Sequence, residues 1–115
     1  MPEMKWPSDW LRGVLPLAVL AVLREGPTYG YAISTALERA GVGAVKGGTL
    51  YPLLARLEKD GLVVSRWEAG DGGPGRKYFE LTEAGTAQFA ERREQWSRFG
   101  SVVAHLVGNR EGKTR

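Results

Sequence analysis

The chain contains no cysteine and a single histidine, His105. The first absence excludes a disulfide framework and thiolate chemistry, and a cysteine-free chain suits a reducing cytoplasm, the expected location. The two together exclude a zinc centre built from Cys and His, because one imidazole cannot supply its N and S ligands. His105 lies among Val102, Val103, Leu106 and Val107, so it reads as a structural or surface side chain, not a general base. No catalytic residue, metal ligand or cofactor is assigned. Long apolar runs are also missing. The longest, Val14 to Leu23, is too short to cross a bilayer. Glu3, Lys5, Asp9 and Arg12 precede it, and Arg24 and Glu25 follow where a signal peptide would carry small residues. Neither a membrane span nor a membrane partner is expected. There is no internal repeat and no low-complexity tract.

What remains is ordinary in bulk. With 115 residues, 43% apolar and 25% charged, the chain fits one globular domain plus one long extra element. The net charge of +3 and a pI near 9.4 lean toward an anionic partner, but only weakly.

Glycine and proline divide the chain into elements. Ser8 is placed to cap a helix starting near Asp9, followed by the apolar run Leu11 to Leu23. Pro16 inside that run predicts a kink, or a regular helix starting only near Leu15. After Gly26-Pro27, Thr28 is expected to cap a second helix to about Ala40, with Tyr29, Ile33, Ala36, Leu37 and Ala40 on one face. A third helix, from about Gly47 to Asp60, buries Leu50, Leu53, Leu54 and Leu57 at i, i+3, i+4, i+7, and Gly61 ends it. The period then falls to 2. Leu62–Glu68 and Arg76–Leu81 read as the strands of a hairpin with a glycine-rich loop, Gly70 to Gly75. Thr82 is expected to cap a fourth helix to about Val107, roughly 26 residues or about 40 Å long. The fold class is mainly α with a small β-hairpin, an α+β winged helix-turn-helix with a long C-terminal dimerisation helix. Residues 8–81 are expected to form the winged helix-turn-helix domain, a fold that commonly binds DNA, and 82–108 a helix for dimerisation, with 1–7 and 109–115 expected as flexible termini.

Function is sought on three surfaces. With its leucines inward, the third helix points Gly48, Pro52, Ala55 and Lys59 outward, flanked by Thr49, Tyr51 and Arg56. Small outward residues let a helix enter the major groove while its polar flanks reach bases and phosphates. An amphipathic helix with a solvated outer face has the same pattern. In the wing, the adjacent cations Arg76 and Lys77 suit phosphate contact, and they equally suit an edge strand guarded by charge. The loop Gly70-Asp-Gly72-Gly-Pro-Gly75 formally matches G-x-G-x-x-G, but a strand follows where a dinucleotide site needs a helix. In the last helix Phe89, Trp96, Phe99, Val103 and Leu106 recur at coiled-coil-like steps. A helix of that length exceeds a domain of about 80 residues, roughly 25 Å across, so part of this seam needs a second chain.

The motifs Leu11-Arg-Gly13, Gly26-Pro-Thr-Tyr-Gly-Tyr31, Gly48-Thr-Leu-Tyr-Pro52, Arg56-Leu-Glu-Lys-Asp-Gly-Leu62, Gly73-Pro-Gly-Arg-Lys-Tyr78 and Leu81-Thr-Glu-Ala-Gly85, in this order and spacing, resemble the PadR family of bacterial transcriptional regulators. The likeness spans Leu11 to about Leu106. The single last helix is similar to the short subfamily. The resemblance implies a homodimer joined through its first and last helices, with Leu11, Leu15, Phe89, Trp96, Phe99, Val103 and Leu106 at the interface. It implies double-stranded operator DNA, pseudo-palindromic like the dimer, contacted by Lys46, Thr49, Tyr51, Arg56, Arg76 and Lys77. It also implies a repressor released by a small aromatic effector, with Trp96 matching a tryptophan that lines the inter-subunit pocket in some relatives. Pro16 departs from the family pattern and bears on the dimer geometry. The alternative is a dimeric winged-helix adaptor or ligand-binding protein without an operator.

Overall fold

The computed structural model of the chain describes residues 5–70 and 72–108. The expectation of flexible ends falls largely outside them, at residues 1–4 and 109–115. Just before the first helix, Trp6 Nε1 donates to the Gly41 carbonyl at 2.8 Å, which ties this segment to the turn after the second helix.

Helix α1 spans Ser8–Leu23. Ser8 is its first residue and not its cap. Pro7 takes the cap position in extended backbone, and its carbonyl accepts from the Trp10 and Leu11 amides at 3.1 Å each. The helix runs unbroken through Pro16. Proline removes only the bond that would reach back to Arg12, and Arg12 is solvent-exposed.

The second expectation that fails is the cap at Thr28. Thr28–Tyr29 forms a short strand, β1, paired antiparallel with Phe79 and Tyr78. Helix α2 therefore starts at Gly30 and runs to Ala40, with Tyr29 as an extended cap that makes no side-chain bond. Thr and Tyr are good strand residues, and here the distant strand outcompetes the local cap. The expected hairpin becomes a three-stranded sheet in the order β1-β3-β2.

Helix α3 spans Gly47–Lys59 and buries the four expected leucines. Its end is a Schellman turn: the Gly61 amide donates to Glu58 O and the Leu62 amide to Leu57 O, both at 3.0 Å. Gly61 adopts φ +79°, a left-handed conformation that glycine takes without steric cost. The turn feeds directly into β2, Val63–Glu68, which pairs with β3, Arg76–Leu81, from Val63↔Leu81 out to Glu68↔Arg76. The glycine-rich loop between them forms the tip of the wing.

Helix α4, Glu83–Leu106, has 24 residues, about 36 Å at 1.5 Å per residue. Its start is held at one junction. The Thr82 hydroxyl accepts from the Gly85 amide at 2.9 Å and donates to the Gly61 carbonyl at 2.7 Å, while the Thr82 amide donates to Leu62 O at 3.1 Å. The core is one cluster: Leu15, Val19, Leu20 and Leu23 of α1, Ile33 and Leu37 of α2, the α3 leucines, Val63, Phe79 and Phe89. Within α4 only Gly85 and Phe89 are buried, so its first two turns complete the core while the following turns run exposed alongside α1.

Gly85 lets α4 approach the backbone closely just before β2, since a Cβ there would overlap the Leu62 carbonyl oxygen. Backbone cannot swing aside as a side chain can. Gly85→Ala is expected to destabilise the fold by about 1–3 kcal/mol, the usual cost of overpacking, read from denaturant midpoints. An unchanged midpoint would contradict the close approach.

Candidate nucleic-acid interface

The recognition-helix candidate α3 keeps its small residues outward. Gly48, Pro52 and Ala55 are exposed, as are Lys46 just before the helix and Thr49 and Tyr51 within it. The Tyr51 ring leans across to the first turn of α2, where a Cβ on Gly30 would overlap it. Tyr51 is still half-exposed. The glycine of the Gly-Pro-Thr-Tyr-Gly-Tyr motif therefore makes room for the tyrosine of the Gly-Thr-Leu-Tyr-Pro motif, which orients Tyr51 against a rigid helix end.

Arg56 is placed differently from the other five DNA-contact candidates. It borders a groove between α1, α3 and α4, together with Pro16, Leu17, Arg92, Trp96 and Phe99. On the helical wheel it lies about 110° from the leucine stripe, at 100° per residue, on the side toward α1 and α4. Tyr51 lies as far round the other side.

Arg76 and Lys77, adjacent in sequence, are separated by the pleat. On β3, Phe79 is buried and shares its face with Lys77. Arg76, Tyr78 and Glu80 take the outer face. There Arg76 stacks 4.4 Å above the centre of the Tyr29 ring, and Tyr29 meets Tyr78 edge-on at 5.4 Å. Arg66 on the same outer face binds Glu68 at 2.8 Å and Glu80 at 3.1 Å. These bonds, the one to Glu68 foremost, hold the Arg66 guanidinium above its ordinary pKa. The inner face presents Lys77 opposite Trp67. Trp67 is 70% exposed and was not among the residues singled out from sequence. The signal was available: with Val63 inward, the period of 2 puts Ser65 and Trp67 on the same face, and six residues carry the strand past the core.

Two residues expected at a dimer interface belong to the chain's own core. Leu15 and Phe89 are each 6% exposed, because α1 and the start of α4 pack on each other and leave these side chains no outer surface. Phe89 is further covered by the guanidinium groups of Arg24 and Arg93, 5.1 and 5.7 Å from its ring centre. Leu11 is half-buried. The rest of the seam is open: Trp96, Phe99, Val103 and Leu106 are exposed, joined by Val102 and Val107, with Leu106 at 81%. Trp96 and Phe99 tilt together with centres 6.2 Å apart.

The groove beside them holds about 440 Å³. Arg92 lines it, whereas Arg98 pairs with Glu94 at 3.1 Å and Arg93 covers Phe89. Among the described residues no group of three His, Cys, Asp or Glu side chains is arranged to hold a metal, and no helix is long and apolar enough to cross a membrane.

This architecture, four helices with a small antiparallel sheet, recurs in solved proteins. A PadR-like transcriptional regulator from Bacillus cereus superposes with a TM-score of 0.77 at 34% identity, over 87% of this chain and 97% of that one. A PadR family transcriptional regulator from Eggerthella lenta gives 0.78 at 38% identity, over 87% of each chain. In sequence, the transcriptional regulator Rv3488 of Mycobacterium tuberculosis is 33% identical over 105 residues, 88% of this chain and 96% of its own length. Residues 19–91 match the model of the transcriptional regulator PadR-like family. Winged-helix fold, motif order and these matches agree: the chain belongs to the PadR-like family of transcriptional regulators.

Proposed function

We propose that this DNA-binding regulator is a homodimeric repressor, which reads a pseudo-palindromic operator and releases it on binding a small, flat aromatic molecule. The observation that carries the DNA reading is the outer surface of α3. Exposed Lys46, Thr49 and Tyr51 flank small exposed residues, and every leucine of the helix points into the core. Such a helix can sit deep in a major groove with polar side chains at base-edge and phosphate height.

The dimer reading rests on the far half of α4. Trp96, Phe99, Val102, Val103, Leu106 and Val107 form a continuous exposed apolar patch, which monomers rarely tolerate. A two-fold axis through this seam would give two symmetric copies of α3, and reading successive major grooves requires them about 34 Å apart, one DNA turn. The effector reading rests on the groove. Trp96 and Phe99 supply aromatic surface for stacking, and Arg56 and Arg92 supply cations for an acidic substituent. Arg56 sits on the recognition helix, so a ligand that engages it acts on the DNA-reading element directly. Release requires the effector to prefer the non-binding arrangement, and a preference of about 1.4 kcal/mol lowers operator affinity tenfold.

Three outcomes are expected. Lys46→Ala/Lys77→Ala lowers the slope of log affinity for duplex DNA against log salt by about 2, because each phosphate contact contributes about 1; an unchanged slope and affinity would contradict the assignment of these cations. Sedimentation at micromolar concentration gives a dimer, converted to monomer by Leu106→Asp, and a stable parent monomer would remove the interface. Trp96→Ala remains a dimer but releases DNA only at higher concentrations of an aromatic acid than the parent. Release at the same concentration would exclude Trp96 from the sensor.

A further inference from the structure

We infer that Trp67 is the principal DNA-contacting side chain of the wing, its indole lying against the sugar-phosphate edge of the duplex while the neighbouring Lys77 meets a phosphate. The inference deepens the DNA-binding reading above and rests on it. Three observations support it.

First, Trp67 is 70% exposed although it lies on the face of the sheet that elsewhere forms the core. Val63 is buried and Ser65 partly so, and the strand beyond Ser65 is exposed. Ser65 Oγ donates to Glu58 of α3 at 2.8 Å, which binds this face of the wing to the recognition helix. Trp67 lies one strand repeat farther out, on the same face. Second, its ring does not fold back toward the core. It lies along the wing toward the loop, where a Cβ on Gly75 would stand 3.7 Å from Trp67 Cε3. A flat apolar surface is thereby held near the wing tip.

Third, charge separates the two faces. The strand carboxylates Glu68 and Glu80 lie on the outer face and are bound to Arg66. Arg76, also outer, is stacked on Tyr29. The inner face carries Lys77 directly across from Trp67. The Lys77 ammonium rests 5.8 Å from the Phe79 ring centre on that same face, so an exposed aromatic ring, with a cation on the facing strand and the strand acids turned away, complements an apolar deoxyribose edge flanked by phosphates. Tryptophan suits such a place because it combines a broad apolar surface with one N–H donor. Apolar wedges and aromatic platforms serve nucleic-acid binding elsewhere in the same way.

The contact has a signature that separates it from a phosphate contact. An apolar contact releases no counterion, so its loss weakens binding without changing salt dependence. The experiment first selects a duplex from a random-sequence pool with the full chain. It then titrates that duplex with the parent, Trp67→Ala and Trp67→Phe across a range of salt. Trp67→Ala is expected to bind about tenfold more weakly with the parent's salt slope, and Trp67→Phe to recover most of the loss. In parallel, 19F spectra of the parent labelled with 5-fluorotryptophan, with the Trp67 signal assigned from Trp67→Phe, are expected to show that signal shift when duplex is added. If the parent binds the selected duplex but Trp67→Ala matches it within twofold, or the Trp67 signal stays in place, the inference is overturned and the DNA-binding reading stands. If the parent enriches no duplex at all, the DNA-binding reading itself fails.

Discussion

The structure turns on the contact between the start of α4 and the end of α3. Thr82 makes three hydrogen bonds there, to Gly61, to Leu62 and from Gly85, and Gly85 lets the helix lie directly on the Leu62 carbonyl. Four elements meet within this span: α3 ends in its Schellman turn, β2 begins, β3 ends and α4 begins. One hydroxyl both donates and accepts, so neither neighbouring backbone group is left without a partner. The direction of α4 is set here, and with it the position of everything farther along the helix.

That direction has functional consequences. Because α4 leaves the junction against α1, Phe89 seals the core while Arg92, Trp96 and Phe99 come alongside the groove that Arg56 enters from α3. The candidate recognition helix and the aromatic groove are therefore neighbours through Arg56 and Leu57 of α3. The same junction starts the wing, whose two faces differ chemically: ion pairs and stacked tyrosines outside, Trp67 and Lys77 inside. The end of α3, the start of the wing and the helix that borders the groove are thereby joined at one place.

Much of this was legible in the sequence where local signals were redundant. The leucine stripe of α3, the glycine at its end, the fall from period 3.6 to 2, and threonine ahead of the last helix each indicate the same boundaries. What the sequence did not make legible has specific causes. Thr28 suits a helix cap and a strand equally, and only its pairing with Phe79, fifty-one positions away in the chain, decides for the strand. Leu15 and Phe89 follow the same helical periodicity whether they face the domain or a partner, and that choice depends on how α1 meets α4. Arg56 flanks the leucine stripe much as Tyr51 does, but on the opposite side. Periodicity places both beside the core face and cannot say which neighbour stands next to each. Arg76 and Lys77 are the instructive pair: adjacency in a strand means opposite faces, and the same alternation points to Trp67.

The central claim is that α3 and the wing of this chain meet DNA in two symmetric copies. Hydroxyl-radical footprinting of a duplex selected by the chain tests it most directly. The account predicts two equivalent blocks of protected backbone related by a two-fold axis, their centres about one helical turn, or 34 Å, apart. A single asymmetric block, or tight binding with no defined protection, would contradict it.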